Sequence, residues 1–376
     1  VHDQHPLLQT SGTFTPEVIE EIQAKAELGR YRIRGFGTLR DRRWPTFDDL
    51  TFLPATLTRI PLEGYRERCV TTTVLGTRFA QKPIVLDLPL MITGMSWGAL
   101  SYNAKVALAK GAAQVGSSNT TGDGGMLPAE REHSKTLIYE VLPSRYGVNI
   151  HHLRMADAIE LTIGQGAKPG TGGLLLGSKV SEVIARQRDL PMGVDQRSPA
   201  RHPDFLGPDD MILKVEELRE ATDWQVPIFI KMGATRVFDD VKLAVKAGAD
   251  VIVVDGMEGG TAASPEILQE HTGIPTLAAV RLAATGFDDA DGRFRLITLR
   301  SNDQFNTTVY GYHDRFRGVK GTRDVMFMNE ADIAEAGLHE GQVVALESDA
   351  GDGRRRRREG LIVTPYDIPR GCLGAY

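Results

Sequence analysis

The chain has 376 residues, of which 41% are apolar and 25% charged, with a net charge of −5 at neutral pH. That is room for one large barrel domain plus a small one, or for two medium domains, in an ordinary globular composition. The charge balance gives no broad pull toward nucleic acid or an anionic membrane, and no stretch approaches the ~20 apolar residues of a membrane span. The opening Val1-His2-Asp3-Gln4-His5 carries neither a basic nor an apolar export segment. Two cysteines, Cys69 and Cys372, read as free thiols of a reducing compartment and are too few for an iron–sulfur cluster. The expectation is a cytoplasmic protein. Forty glycines suggest loops that approach a ligand closely.

Thr15-Pro16 opens the first helix signal, with Val18, Ile19, Ile22 and Ala26 at helical spacing and Gly29 as its stop. Pro45, Pro54 and Pro61 block long elements up to residue 73, so residues 1–88 read as an extension wrapping a core. From residue 89 the rhythm changes. Short apolar runs at 89–96, 114–121, 146–149, 158–164, 227–233 and 251–256 each break into polar or Gly-rich residues at their C-terminal ends. A helix pattern follows Ser101, with Ala104, Ala107, Leu108 and Ala112 on one face, and another covers residues 237–247. Strands alternating with helices imply a parallel sheet, and polar residues at the strands' C-terminal ends place a site there. The fold expected is α/β, an incomplete (β/α)8 TIM-like barrel of about six units over residues 89–282. Residues 283–292, small and acidic, read as a junction. Residues 293–376 read as a small mostly-β, double-psi-barrel-like domain, with strands at 294–301, 342–347 and 361–364 and a helix at 329–338.

Four clusters lie at the strand ends: Thr93-Gly94-Met95-Ser96-Trp97-Gly98, Ser118-Asn119-Thr120-Thr121-Gly122-Asp123, Gln165-Gly166-Ala167-Lys168-Pro169-Gly170 with Ser198-Pro199-Ala200-Arg201-His202, and Asp255-Gly256-Met257-Glu258-Gly259-Gly260-Thr261. A Gly-rich loop alone often only turns the chain. Four of them in barrel order suit a flat polar ring, which needs backbone brought close and a few donors to its carbonyls and nitrogens. A cation near such a ring stabilises its reduced, anionic form, and either Lys168 or Lys231 fits that role. His151-His152 have no carboxylate or cysteine at ligand spacing, so no metal is expected.

These clusters closely resemble the FMN-binding domain of glutamate synthase, and more closely the flavin subunit of N-methylglutamate synthase-type enzymes, over residues 32–282. The resemblance implies FMN and a reaction in which 2-oxoglutarate and ammonia, or an amine, form an imine reduced by hydride from flavin. It implies that Met95, Ser96, Gly98, Thr121, Gln165, Lys231, Glu258, Gly259, Gly260 and Thr261 line the flavin. Lys168 and Arg201 would hold the keto-acid carboxylates, with Lys168, Lys231 and Asp123 as the catalytic set. The chain departs from the family in four ways. It has no catalytic cysteine or glutaminase domain, so separate ammonia-supplying and electron-donating subunits are expected. Thr162 stands where the family has lysine, and Asp123 where glutamate is expected. The iron–sulfur cysteines are absent. The last two barrel strands, whose loops hold the FMN phosphate, do not follow Leu282.

The tail carries Ser301, Asn302, Gln304, Asn306 and Thr307, amide and hydroxyl groups suited to a nucleotide. Residues 292–376 resemble the molybdopterin-guanine-dinucleotide-binding domain of formate dehydrogenase-like oxidoreductases, without the domains that hold the metal. The arginine run at 354–358 reads as a solvated hairpin tip, with no aromatic platform for nucleic acid. Three functional readings follow: an FMN oxidoreductase of the glutamate synthase type, a molybdopterin-nucleotide-binding oxidoreductase module, or a composite chain with no complete active site.

Overall fold

The computed structural model describes residues 16–29, 47–58, 60–261, 263–290, 294–299, 313–314, 317–348, 356–368 and 370–376. They divide into two compact units, Val1–Gly286 and Phe287–Tyr376. Helix α1 (Pro16–Leu28) begins on proline, whose fixed φ suits a first helical turn, and ends before Gly29 at φ 62°. Thr15, its expected cap, lies outside the described residues. The expected wrapping of the core is not seen between residues 49 and 72, where every described residue is exposed. Only the end of that region reaches the core. Strands β1 (Thr73–Leu75) and β2 (Ile84–Leu86) pair antiparallel, and Ile84 and Leu86 pack on Ile138, Ala158 and Phe229.

The main sheet has six strands, the number expected, all parallel and in sequential order. Its first half runs β3 (Met91–Ile92), α2 (Tyr102–Gln114), β4 (Ser118–Thr120), α3 (Pro128–His133), β5 (Thr136–Val141), α4 (Ile150–Met155) and β6 (Ala158–Thr162). An insertion follows, with β7 (Leu174–Leu175), α5 (Glu182–Arg188) and β8 (Gln196–Arg197), β7 and β8 pairing antiparallel apart from the main sheet. The second half runs α6 (Pro208–Ala221), β9 (Ile228–Gly233), α7 (Val237–Lys246), β10 (Val251–Asp255), α8 (Glu266–His271) and α9 (Thr276–Ala290). Among the described residues no strand joins this sheet after β10, so the barrel is incomplete, with six strands. The stretch expected as a junction is helical as far as Ala290, and the two units divide within it.

One strand was misplaced. The third is Thr136–Val141, not residues 146–149, which form a turn with Arg145 at φ 57° and Gly147 at φ 65°. β5 is buried at every position, as a parallel strand covered on both faces should be. The buried face of α2 also differs from the expected one. It carries Lys105, Ala109 and Ala112, while Ala107 is exposed.

The second unit is a five-stranded mixed sheet. Its elements are β11 (Arg295–Thr298), β12 (Val325–Met328), α10 (Glu330–Glu335), β13 (Val343–Ser348), β14 (Arg356–Pro365) and β15 (Cys372–Ala375), in spatial order β11-β15-β12-β14-β13. Met326, Met328, Ile333, Leu361, Val363 and Leu373 form its core. Asn329 caps α10, its side chain accepting from the Ala331 N–H at 3.0 Å. The expected hairpin tip is partly strand: Arg356, Arg357 and Arg358 pair with Ser348, Glu347 and Leu346. The nucleotide candidates Ser301, Asn302, Gln304, Asn306 and Thr307 lie outside the described residues. No helix among the described residues is long and apolar enough to cross a membrane.

Candidate active site

The C-terminal ends of the six strands open into one cavity of about 490 Å³. Its walls come from the loops after β3, β4, β6 and β10, from the ends of β5 and β9, and from the β7–α5–β8 insertion. Backbone is packed on backbone where two loops meet. Gly122, at φ 73°, lies so close to the loop after β3 that a Cβ there would sit 2.5 Å from the Ser96 nitrogen. Gly166 donates its N–H to Asp255 at 2.9 Å, and a Cβ on it would run into the Gly256 carbonyl. No other residue fits these two positions. From behind, the Lys105 ammonium on α2 donates to the carbonyls of Met95 at 2.9 Å and Thr121 at 2.7 Å. It pairs with Glu130 at 2.6 Å, which also accepts from Asn119 at 2.7 Å. One buried cation therefore fixes the ends of the first two strands.

The cavity floor is a chain of charges on adjacent strands. Glu140 accepts from the Thr162 hydroxyl at 2.8 Å and from Lys231 at 3.3 Å, and Lys231 lies 3.5 Å from Glu160. Burial works against the Lys231 charge, but Glu140, Glu160 and Asp255 outweigh it, so its pKa is raised. Burial and Glu140 together push Glu160 up to about 7, against the pull of Lys231. Elsewhere in the lining, burial raises the Asp123 carboxyl, which accepts from Ser144 at 2.7 Å. Burial lowers the Lys168 pKa, with Asp123 and Glu140 opposing it.

Arg188 reaches the cavity from the last residue of α5, where Asp189 in the left-handed conformation ends the helix. It is 4% exposed. Its guanidinium donates to the Gln196 side chain at 3.1 Å and to the Trp97 carbonyl at 2.9 Å. Its Nε is buried and has no partner among the described residues. That Nε packs against the Gly124 backbone, where a Cβ would sit 2.7 Å from it.

Residues 46–309 match the family model described as the conserved region in glutamate synthase. The chain belongs to the glutamate synthase family. A glutamate synthase large subunit-like protein of Rhizobium meliloti is 56% identical over 288 residues, 77% of this chain and 65% of that protein. An archaeal-type glutamate synthase [NADPH] of Dehalococcoides mccartyi is 36% identical over 347 residues, 88% of this chain and 68% of that protein. Against Thermotoga maritima's archaeal-type glutamate synthase [NADPH] the identity is 36%, and the chain spans 56% of that length. It thus spans roughly two thirds or less of these curated relatives. Residues 294–372 match the molybdopterin dinucleotide binding domain model. A solved structure of mandelate oxidase overlays 58% of this chain at 17% identity and a TM-score of 0.33.

Met95, Ser96, Asp123, Gln165, Lys168, Lys231, Gly259, Gly260 and Thr261 all line the cavity. Gly98, at φ 116°, sits behind it against Leu175 and Arg188. Three expected residues are used elsewhere. The Thr121 hydroxyl is taken up inside the sheet, accepting from the Glu140 N–H at 3.0 Å. The Glu258 carboxylate accepts from the Thr276 N–H at 3.0 Å and hydroxyl at 2.9 Å, capping α9. Arg201 lines a different cavity and does not join Lys168. Asp255, from the fourth cluster, lines the cavity too, and so do Glu140, Tyr146 and Arg188, which the sequence did not single out. The signal for Glu140 was a lone acid inside an apolar run, Leu137-Ile138-Tyr139-Glu140-Val141. Arg188 gave none, because an arginine ending a helix is ordinarily solvated. Among the described residues no group of three or more His, Cys, Asp or Glu is set to hold a metal.

Proposed function

We propose that the chain is the FMN-dependent, keto-acid-aminating component of a glutamate synthase-type enzyme. It would convert 2-oxoglutarate and ammonia, or an amine, to glutamate with partner subunits supplying ammonia and electrons. The observation that carries this is the buried Arg188 guanidinium, which lines the same cavity as Lys168. Arginine's planar fork matches a carboxylate, and two cations in one pocket suit the two carboxylates of 2-oxoglutarate.

The ring side of FMN fits the residues present. Gly94, Gly259 and Gly260 bring backbone to the cavity, while Met95, Ser96 and Gln165 supply backbone and side-chain groups. The phosphate side has no counterpart among the described residues, since no strand follows β10 in the sheet. Reduced FMN supplies hydride when bound. Ammonia adds to the keto carbon, water leaves, and hydride adds to the resulting imine carbon. The departing oxygen needs a proton, and Asp123 is suited to give it because burial favours its protonated form. Lys168 and Arg188 hold the carboxylates, and Lys231 fixes the Glu140 and Glu160 carboxyls. The tail is assigned no step, and neither is its expected molybdopterin guanine dinucleotide.

The experiment is an anaerobic titration of the purified chain with FMN, followed by photoreduction and mixing with 2-oxoglutarate and ammonium. A flavin spectrum that shifts on binding, bleaches, and recovers only when both substrates are present supports the reading. FMN that stays free, or reoxidation indifferent to the keto acid, overturns it.

A further inference from the structure

A second cavity, of about 390 Å³, lies between β9 and the helices α6 and α7. Ile163, Ile230, Met232, Met211 and Leu243 give it an apolar interior. Three ionisable groups border it, together with Thr235. His202 is 1% exposed, and both of its ring nitrogens are committed. The Thr162 carbonyl, 2.8 Å from Nε2, can only accept, so Nε2 carries the proton and Nδ1 accepts from Arg145 at 3.0 Å. Burial takes its pKa down to about 4, leaving it neutral. Burial also raises the Asp240 carboxyl, with Arg236 opposing and Asp239 adding to the rise. Arg201 is therefore the one cation among the lining residues. It is exposed and has no hydrogen bond or ion pair to a described residue.

From this geometry we propose that the second cavity binds a small carboxylic acid with an apolar body, its tail among Met211, Ile230 and Leu243 and its carboxylate on Arg201. The volume is within the ~300–1,000 Å³ of small-molecule sites, and an unpaired arginine at an apolar mouth selects an anionic head over a neutral or cationic one. The site is wired to the first cavity. The loop 164–170 is the partition between them, giving Gln165 and Lys168 to one side and Gly164, Pro169 and Gly170 to the other. Thr162 is a second link, because its carbonyl holds His202 while its hydroxyl holds Glu140. An acid bound behind the loop therefore bears on the position of Lys168.

The test is calorimetric titration of the full chain with octanoate, with octylamine and octanol as controls. The inference stands on the second cavity alone, and FMN titration of the same samples reads the proposed function separately. Saturable 1:1 octanoate binding, at least about tenfold tighter than either control, is the expected result, and Arg201→Leu should lose that preference. Met211→Trp, or Leu243→Trp should the first not fold, fills the interior and should abolish binding while FMN uptake is unchanged. Equal binding of octylamine, or octanoate binding that survives a folded filling variant, overturns the proposal.

Discussion

Lys105→Met tests whether one buried cation organises the cavity loops. The ion pair is fully enclosed, with Lys105 2% and Glu130 0% exposed, so the variant keeps an apolar stem and strands a buried carboxylate. Removing one partner of such a pair costs about 3–5 kcal/mol. In addition, the Met95 and Thr121 carbonyls lose their donor, each a penalty of about 1–3 kcal/mol where water cannot replace it. Asn119 still reaches Glu130, and the carboxyl can take up a proton, so about 3–5 kcal/mol is the expected total. The double variant Lys105→Met/Glu130→Gln removes the stranded charge; water in the cavity can reach the half-buried Met95, so only the loss at the buried Thr121 carbonyl, about 1–3 kcal/mol, should remain. Urea unfolding followed by tryptophan fluorescence isolates the relevant unit, because Trp44, Trp97 and Trp224 all precede the boundary at Gly286. The pH response has a definite sign. Burial raises Glu130 even with Lys105 present, and removing the cation raises it further. The folded variant then holds a proton that the unfolded chain releases, so stability falls as pH rises through the folded pKa and the deficit narrows on acidification. A loss under about 1 kcal/mol, the scale of an exposed pair, or a double variant no better than the single, would refute the reasoning.

Other consequences can be read more briefly. Arg188→Lys should weaken 2-oxoglutarate binding to the FMN-loaded chain by about 10- to 150-fold, the equivalent of ~1.5–3 kcal/mol for hydrogen bonds to a charge. Arg201→Ala should change it less than about twofold, and isothermal titration separates the two. Glu258→Ala removes the cap of α9 and should cost about 0.5–2 kcal/mol in urea unfolding with FMN affinity unchanged; a parallel loss of FMN would return Glu258 to the ring. His202, neutral at a folded pKa of about 4 against an ordinary 6.5, lets the unfolded chain bind the extra proton between those values. Stability should fall as pH drops through that window, and His202→Gln should flatten the slope.

The alternation of strands and helices was legible because parallel strands buried on both faces read as short apolar runs. That rule failed where a buried charge interrupts the run. Glu140 sits inside β5, so its strand went unnoticed, while Tyr146 and Val148 supplied a false one across a turn. Lys105 was unread on α2 for the same reason, since a lysine on the core face is tolerated only with its carboxylate, and Glu130 is 25 residues away in sequence. The motifs located the loops well and the individual side chains less well. Arg201 and Glu258 stand in the most recognisable motifs, yet one faces the neighbouring cavity and the other a helix end. Which way a loop residue turns depends on partners such as Thr276, and these lie outside the motif.

The same buried charges decide between the two lysines that fit the role of a cation beside the ring. Lys231 lies 3.3 Å from Glu140 and 3.5 Å from Glu160, with Asp255 adding to their field. Its charge is therefore already compensated. Thr162 sharpens this, because a second lysine there would share the carboxylates, whereas the hydroxyl adds a donor to Glu140 and no charge. Lys168 has no carboxylate in direct contact, and its pKa is lowered chiefly by burial. An uncompensated, partly desolvated ammonium gains most from new negative charge in the cavity. On the proposed function, Lys168 is thus the lysine that would respond when a keto acid enters or a bound ring is reduced, and Lys231 the counter-ion of the carboxylate floor.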